Sequence, residues 1–277
     1  MVGLSRIQPL GSSLSFPQQA RTIQIPPRTV VDRSPPDAWD VLRTEVARGA
    51  TCVVGVPLPA PAEPPPAMTA ALDDRERARA ARLRVPEDRS AYIVAHYLLA
   101  RSVRALTYPS RASWSFEPAE NGKPRLLVDS QTLHASLSHT RGAVAVAIGR
   151  VAPVGVDVEE IKPNDDLARL AHRVLSERER RAVFDDTDPI GMFTRLWTRK
   201  EALAKAFGVG LRVPFDRIDV LDPAAPVLPP ELSGAIALGD VPCSGPHRLS
   251  VALRGIALDA VSFEIPFDLL AAAASEE

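Results

Sequence analysis

Two carboxylates alternate along a short apolar segment, Gly155-Val-Asp-Val-Glu159. In an extended strand successive side chains point to opposite faces, so Asp157 and Glu159 share one face while the two valines share the other. Two carboxylates beside valines that favour burial form a platform for a hard divalent cation such as Mg²⁺. The same alternation is also typical of a half-exposed strand whose acids face water, so this segment alone leaves both interpretations open.

A second set of chemical groups is predicted on one helix, from residue 188 to residue 207. Trp197, Glu201 and Lys205 are spaced by four residues, so they form one stripe along the helix. An exposed Glu–Lys pair at this spacing is common and contributes little to stability. Here, however, the pair is in line with Trp197 and Phe193, which places the carboxylate at the edge of an apolar stripe where its pKa and metal affinity are tuned. Glu201 is therefore a candidate third acid beside the two acids of the strand.

Candidate phosphate ligands precede both segments. Ser138 and His139 are neighbours on an extended segment and point apart, so they do not form a nucleophile–base pair. They are instead candidates for hydrogen bonds to phosphate oxygens, with a structural role for the histidine as the alternative. Lys123 lies in the predicted turn 121–124 and is a candidate phosphate-facing lysine. The arginine-rich segment 75–84 is either a solvated helix face or a contact for a polyphosphate.

Hydrophobic periodicity predicts the elements that must position these groups. Helices are predicted at 37–48, from 86 to about 106, from the capping box of Ser176 and Glu179 to about 184, and at 188–207. Strands are predicted at 51–56, 114–116, 126–128, 143–148, 154–159, 250–253 and 260–263. This order predicts an α+β fold of two lobes, each a sheet with a helix laid on it. The expected divisions are a proline-broken extension at 1–36, an N-terminal lobe at 37–150 and a C-terminal lobe with the metal site at 151–277.

Composition excludes several classes of protein. The 277 residues are 45% apolar and 24% charged, and 33 Lys and Arg against 34 Asp and Glu give a net charge of −1. There is no overall basic field for nucleic acid, and no apolar run is long enough to cross a membrane, so we expect a cytoplasmic protein that binds neither. The two cysteines, Cys52 and Cys243, are too far apart in sequence for a CxxC zinc motif and are expected to be reduced thiols. P-loop, Rossmann, Gly-x-Ser-x-Gly and His-Glu-x-x-His motifs are absent.

An ordered set of motifs resembles the surfactin-type 4′-phosphopantetheinyl transferases. The set comprises GlyLysPro at 122–124, SerLeuSerHis at 136–139, GlyValAspValGlu at 155–159, TrpThrArgLysGluAlaLeuAlaLys at 197–205 and PheGlyValGly at 207–210. Residues 79–89 resemble the entry into that family's long first helix, and the resemblance covers roughly residues 51 to 265. It implies two similar α+β lobes related by pseudo-twofold symmetry in one chain, with coenzyme A and Mg²⁺ in the cleft between them. Mn²⁺ is the alternative metal.

The resemblance also implies an activity and assigns residues to it. The family moves the phosphopantetheine arm of coenzyme A onto a serine of an apo acyl or peptidyl carrier protein and releases 3′,5′-ADP. The carrier would serve fatty acid, polyketide or non-ribosomal peptide synthesis, and a single chain holding both lobes would act as a monomer. The implied metal ligands are Asp157, Glu159 and Glu201. The implied contacts of coenzyme A are Lys123, Ser138, His139 and Lys205, with Arg79 and Arg82 as candidates for its 3′-phosphate.

The physical chemistry of the residues agrees with this assignment. A pyrophosphate under attack needs a cation on its oxygens and basic groups that neutralise the leaving group, and Lys205 is placed for the second task. Glu201 is the best-placed general base for the serine, directly or through water, with Asp157 as the anchor of the metal. Two alternatives stay open. The same acids would serve another Mg²⁺-dependent phosphotransferase or phosphodiesterase, and a non-catalytic module that binds carrier protein or coenzyme A would keep the same fold.

Overall fold

Residues 21–22, 35–107, 114–117, 125–128, 131–255 and 259–276 are described by the computed structural model of the chain. They form ten β-strands and eight α-helices, which confirms the predicted mixed α+β class. The strands are β1 (Arg21–Thr22), β2 (Thr51–Pro57), β3 (Trp114–Glu117), β4 (Arg125–Val128), β5 (Gln131–Thr140), β6 (Ala143–Gly149), β7 (Val154–Glu160), β8 (Ile236–Val241), β9 (His247–Arg254) and β10 (Ala260–Glu264). The helices are α1 (Pro35–Ala47), α2 (Pro66–Ala70), α3 (Asp74–Arg82), α4 (Pro86–Thr107), α5 (Leu167–Val174), α6 (Glu177–Asp185), α7 (Pro189–Phe207) and α8 (Phe267–Ser275).

The larger sheet has six strands in the order β10-β2-β6-β5-β4-β3, and the long helix α4 packs on β5 and β6. Strand β6 is buried on both of its faces. Its valine and isoleucine positions belong to the core beneath α4, whereas its alanine positions belong to a core shared with the second sheet. Because alanine is small, this second face lets the other sheet approach closely.

The smaller sheet has the order β1-β8-β9-β7, and α7 covers β7 and β9. This helix has the ends that the sequence predicts. The Oδ1 atom of Asp188 accepts a hydrogen bond from the Gly191 amide at 2.9 Å, and Gly208 ends the helix with a φ of 70°. Strand β7, which carries the predicted acids, is therefore both an edge strand and the strand beneath α7.

The valines of β7 confirm the predicted two-faced character of this strand. Val154, Val156 and Val158 are buried in the core between the two sheets, together with residues of β6 and β9. The alternate positions of β7 face α7, because the pleat of a strand turns successive side chains to opposite sides. Burial of the valine face thus fixes the direction in which the acids point.

The last described elements of the chain, β10 and α8, belong to the six-stranded sheet and its core. Strand β10 pairs in parallel with β2, with Ala260 opposite Thr51, and Leu270 and Ala274 of α8 enter the core beneath α4. The end of the predicted C-terminal lobe therefore packs against the sheet of the predicted N-terminal lobe. Local periodicity predicts that a strand exists at 260–263 but carries no information on the strand with which it pairs.

Several elements were not predicted as such from the sequence. The helix α1 begins at Pro35, inside the predicted extension, and the segment around Ser138 is the end of the ten-residue strand β5. The short helices α2 and α5, the strand β8 and the terminal helix α8 had no prediction, because their apolar patterns are brief or uniform. None of the described helices has both the length and the apolar character needed to cross a bilayer.

Candidate active site

Gly155 allows β7 to lie unusually close to α7. A Cβ atom at this position would lie 1.9 Å from the carbonyl oxygen of Ala202 and 2.5 Å from the amide nitrogen of Ala206. Both are backbone atoms of α7, so a side-chain rotation could not relieve the contact. The close approach brings the acidic face of β7 beneath the helix face that carries Glu201 and Lys205.

Asp157 lies at the centre of a buried polar cluster and is only 3% exposed. Its Oδ1 atom accepts hydrogen bonds from Lys205 Nζ at 2.7 Å and from Ser138 Oγ at 2.8 Å. Lys205 also donates to Ser138 Oγ and to the carbonyl of Val156, each at 3.0 Å. The Oδ2 atom is buried and has no hydrogen-bond partner among the described residues. Since an unpaired buried carboxylate oxygen is unfavourable, Oδ2 is suited to a ligand that the chain itself does not supply.

Glu159 is two residues further along the same face of β7. Its Oε1 atom accepts a hydrogen bond from Trp197 Nε1 at 3.4 Å, and its Oε2 atom accepts one from Thr140 Oγ1 at 3.5 Å. Burial and the neighbouring charge of Asp157 raise the pKa of Glu159 to about 7. Both causes disfavour the ionised carboxylate, so a bound cation would stabilise it.

Glu201 completes the set from the helix. Burial raises the pKa of its carboxyl, the charge of Asp157 acts in the same direction, and Lys205 opposes both. The charge of Asp157 therefore acts on both of the other predicted acids, Glu159 and Glu201. A carboxylate whose pKa is raised is a better proton acceptor than an exposed one, which suits a general base.

The three acids are oxygen ligands of the kind that a divalent metal ion binds, but their side chains do not converge on one common point. In the part of the chain that the structure describes, no group of three His, Cys, Asp or Glu side chains is already positioned to hold a metal ion. The donor set still fits a hard divalent cation, since it offers the unpaired Oδ2 of Asp157 and two carboxyls whose pKa is raised. The assignment of Asp157, Glu159 and Glu201 as metal ligands stays a prediction.

The predicted phosphate contacts have different surroundings. The hydroxyl of Ser138 is engaged by Asp157 and Lys205, whereas the ring of His139 contacts Tyr92 edge-on at 5.8 Å between centroids. Burial lowers the pKa of His139, and the neighbouring His96 and Lys205 lower it further. At neutral pH the imidazole is therefore neutral and offers a phosphate one N–H donor rather than a full charge. Contact of either residue with a phosphate stays a prediction.

A basic groove of 390 Å³ lies along α3. Arg79 and Arg82, the two arginines predicted from the sequence, line it together with Arg75. The charge of Arg79 is one of the smaller causes that lower the pKa of His139, so these two side chains interact electrostatically. Lys123 lies outside the described residues.

A cavity of 630 Å³ opens beside Glu159. Its wall is mostly apolar and comes from α5, α7 and the turn after α7, with Leu167, Leu170, Val174, Phe193, Trp197 and Phe215 as main contributors. Lys162 and Arg173 add positive charge to the lining. Phe193 and Trp197 of the apolar stripe predicted on α7 thus line a space beside Glu159.

Lys200 is a residue of this region that sequence reasoning missed. Its side chain is fully buried and pairs with the equally buried Glu179, with 2.6 Å between Nζ and Oε2. The ammonium also donates to three carbonyl oxygens, those of Val174, Phe215 and Ile218. A signal was present in the sequence, since Lys200 falls between Leu196 and Leu203 at the spacing of the buried face of α7. A lysine within an apolar stripe predicts a buried acidic partner.

Ser136 is a second missed residue. Its hydroxyl accepts a hydrogen bond from the amide of Val156 at 3.2 Å, so it links β5 to β7. Its position two residues before Ser138, and hence on the same face of β5, was the available signal.

The part of the chain that holds the acids is similar to known proteins. The family model described as the 4′-phosphopantetheinyl transferase superfamily matches residues 153–244, which include β7 and α7. The 4′-phosphopantetheinyl transferase HetI of Nostoc sp. is 30% identical over 161 residues, which cover 56% of this chain and 68% of HetI. The 4′-phosphopantetheinyl transferase Sfp of Bacillus subtilis is 31% identical over 126 residues, which cover 44% of this chain and 54% of Sfp.

The holo-[acyl-carrier-protein] synthase of Thermotoga maritima matches with a TM-score of 0.31 and 21% sequence identity, over 36% of this chain and 61% of that chain. Across the two curated relatives, the chain spans from 54% to 68% of the relative's own length.

Proposed function

The chain belongs to the 4′-phosphopantetheinyl transferase superfamily, and we propose that it transfers the 4′-phosphopantetheine group of coenzyme A to a serine of an apo acyl or peptidyl carrier protein. The observation that carries this proposal is the cluster around Asp157. The buried carboxylate of Asp157 accepts hydrogen bonds from Lys205 and Ser138 and keeps its second oxygen unpaired. Its charge contributes to raising the pKa of Glu159 and of Glu201. Phosphoryl transfer requires such a combination of acids and a nearby cationic side chain.

Asp157, Glu159 and Glu201 are the residues that would hold a divalent cation, Mg²⁺ or Mn²⁺. When bound, such a cation would neutralise charge on the pyrophosphate oxygens of coenzyme A. The ammonium group of Lys205 donates a hydrogen bond to Asp157. It would stabilise the negative charge that develops on the leaving group.

The proposed step assigns the proton to Glu201. The serine oxygen of the carrier forms a bond to the phosphorus nearest the pantetheine arm, and the bond from that phosphorus to the oxygen of 3′,5′-ADP breaks. The serine proton passes to the Glu201 carboxylate, directly or through a water molecule. The raised pKa of Glu201 favours this transfer.

Coenzyme A would lie across the cluster of acids, with its 3′-phosphate in the groove along α3 and its pantetheine arm in the cavity beside Glu159. We assign its phosphates to Lys123, Ser138 and His139, and its 3′-phosphate to the groove lined by Arg79 and Arg82. A bidentate guanidinium suits a phosphate, which supports this choice of groove. The cavity beside Glu159 offers room for the largely uncharged pantetheine arm.

We further propose that the two sheets are the halves of a pseudo-twofold arrangement. Each sheet carries one long helix, α4 in one case and α7 in the other, and the acids lie where the sheets meet. In this proposal residues 37–150 and 151–277 remain the two lobes, and residues 1–36 are an extension. The elements β10 and α8 of the second lobe belong to the six-stranded sheet of the first lobe and its core.

The proposed reaction is tested by incubating an apo carrier protein with the chain, coenzyme A and Mg²⁺. Carriers of fatty acid, polyketide and non-ribosomal peptide synthesis are compared, and intact mass spectrometry should show one added phosphopantetheine on the acceptor serine. The matched control replaces that serine by alanine. A folded chain that modifies none of the carriers in the presence of Mg²⁺ would refute the transferase proposal.

The same experiment separates the two alternatives. A phosphodiesterase would release 3′,5′-ADP from coenzyme A without any carrier, whereas a binding module would retain coenzyme A and release nothing. Chromatographic measurement of 3′,5′-ADP with and without carrier therefore decides among the three functions.

Deleting residues 1–34 should leave most of the transfer activity. The deletion spares α1 and removes only β1 among the described elements. In the strand order β1-β8-β9-β7, two strands lie between β1 and the acid-bearing β7, so the site should keep its shape. Turnover of the truncated and full chains is compared, with circular dichroism as the control for folding. A folded truncated chain that loses turnover on the order of tenfold would contradict this expectation.

We expect the active form to be a monomer. The residues proposed for metal, coenzyme A and proton transfer all come from one chain, so a second copy has no residue to contribute. Light scattering over a range of protein concentrations should give the monomer mass of 29.9 kDa. A stable dimer whose dissociation abolishes turnover is the result that would disagree.

A further inference from the structure

One edge of strand β7 has no neighbouring strand within its own sheet and faces the other sheet. It is the last strand of the order β1-β8-β9-β7, and β5 of the six-stranded sheet lies beside it. An edge strand lacks a strand partner for half of its N–H and C=O groups, and buried groups of this kind need other partners. At Val156 both are satisfied by side chains. The N–H donates to Ser136 Oγ at 3.2 Å, and the C=O accepts from Lys205 Nζ at 3.0 Å.

Two serines of β5 hold two consecutive residues of β7. Ser136 and Ser138 lie on the same face of β5, and each is 7% exposed. Ser136 holds the backbone of Val156, while Ser138 donates to the side chain of Asp157 at 2.8 Å. The six-stranded sheet thereby fixes both the peptide that leads into Asp157 and the carboxylate itself.

Lys205 links α7 to the same residues of β5 and β7. Its ammonium donates to the carbonyl of Val156, to Ser138 Oγ and to Asp157 Oδ1. The Val156–Asp157 segment is thus held from two directions, by β5 and by α7. If the bond to Ser136 is lost, the Val156 amide is buried without a partner, and β7 must move or admit water to satisfy it. Either response moves Asp157 relative to Lys205.

We propose that Ser136 is a positioning residue for Asp157. By holding the Val156 amide it keeps Asp157 Oδ1 against Lys205, which leaves the buried Oδ2 as the oxygen presented to the cation. This inference rests on the proposed function in one respect, the assignment of a divalent cation to Asp157. Ser136 itself contacts neither cation nor substrate in this assignment and acts through the β7 backbone.

The test uses the full chain and three variants. Ser136→Ala removes the hydroxyl, and Ser136→Thr keeps it in a residue that strands favour. The matched control is Ser102→Ala, because Ser102 is a fully buried serine whose hydroxyl donates at 2.8 Å to the carbonyl of Leu98 within its own helix, α4. If Ser136→Ala does not fold, Ser136→Cys, with a weak sulfur acceptor, takes its place.

Two measurements are made without coenzyme A or carrier. Hydrogen exchange reports on the Val156 amide, and titration calorimetry reports on Mg²⁺ binding. In Ser136→Ala the Val156 amide should exchange about tenfold faster and Mg²⁺ should bind about tenfold more weakly, as expected for the loss of one buried hydrogen bond. Ser136→Thr should stay close to the wild type in both, and Ser102→Ala should leave both unchanged.

The outcomes separate this inference from the proposed reaction. Unchanged exchange at Val156, or unchanged Mg²⁺ affinity, in Ser136→Ala overturns the positioning role, as does an equal change in Ser102→Ala. A wild-type chain that binds no Mg²⁺ also overturns it. A wild-type chain that binds Mg²⁺ but modifies no carrier refutes only the proposed transfer, because exchange and Mg²⁺ affinity still decide the role of Ser136.

Discussion

Replacing Glu201 by glutamine should lower turnover by on the order of 10²–10⁴-fold, the usual effect of losing a general base, and added Mg²⁺ should not restore it. Glutamine keeps the shape of the side chain and one oxygen ligand but cannot accept the serine proton. The raised pKa of Glu201, caused by burial and by the charge of Asp157, is what makes this carboxylate suited to the task. The measurement is turnover as a function of Mg²⁺ concentration, with circular dichroism to verify folding.

Two further variants provide the contrast for this result. Asp157→Ala should weaken Mg²⁺ binding, and high Mg²⁺ should recover only part of the turnover because Lys205 and Ser138 also lose their shared acceptor. Lys205→Ala should lower turnover by weakening charge neutralisation, while the carboxylates that would bind the metal remain. If excess Mg²⁺ returns Glu201→Gln to near wild-type turnover, Glu201 is only a ligand, and the base is another group such as a water held by Asp157.

Replacing Lys200 by methionine should reduce the free energy of unfolding by about 3–5 kcal/mol, the typical cost of leaving one member of a buried ion pair without its partner. Methionine fills similar space but leaves the Glu179 carboxylate buried without its counter-charge. Three carbonyl oxygens, those of Val174, Phe215 and Ile218, lose a donor at the same time. Urea unfolding at neutral pH measures the change.

A matched lysine and a double-mutant cycle sharpen this prediction. Lys162→Met should change stability little, because the side chain of Lys162 is 67% exposed and 3.9 Å from its partner Glu160. In a Glu179→Gln background the Lys200→Met change should cost less, since the charge that Lys200 compensates is gone. Equal losses for Lys200→Met and Lys162→Met, or equal losses in both backgrounds, would show that the pair does not stabilise the fold.

Lys200 and Glu201 are adjacent in sequence but perform separate tasks. On α7 consecutive residues point about 100° apart, so one side chain enters the core and the next faces β7. Lys200 joins α7 to α6 through Glu179, whereas Glu201 shares its environment with Asp157. The two sets of variants should therefore separate clearly, one lowering stability and the other lowering turnover in a folded protein.

Much of the local structure was predictable because its causes are local. The alternation at 155–159 predicted a strand with valines on one side and acids on the other, and β7 has this form. Asp188 and Gly208 predicted the two ends of α7, and the capping box of Ser176 and Glu179 predicted the start of α6. In each case a few neighbouring residues satisfy their own backbone groups or bury one face, so the pattern is visible in the sequence.

The elements that went unpredicted depend on distant partners. Strand β5 has mixed polar and apolar positions, and its serines are buried only because β7 of another sheet lies beside them. Strand β10 was predicted, but its pairing with β2 was not, since residues 51 and 260 carry no local signal of each other. Contacts between residues far apart in the chain are set by how the sheets stack, and periodicity does not report on that.

The same division applies to the site. The sequence by itself determined which acids share a strand face, that Glu201 and Lys205 lie on one helical stripe, and which family the ordered motifs resemble, because each follows from spacing along the chain. Only the tertiary structure decided that Lys205 donates a hydrogen bond to Asp157 and that Asp157 keeps one oxygen unpaired. It also decided that Lys200, the neighbour of Glu201 in sequence, is a buried structural residue. The physical reason is that pKa, desolvation and hydrogen-bond partners arise where β5, β7 and α7 meet, and the missing side chain of Gly155 allows that meeting.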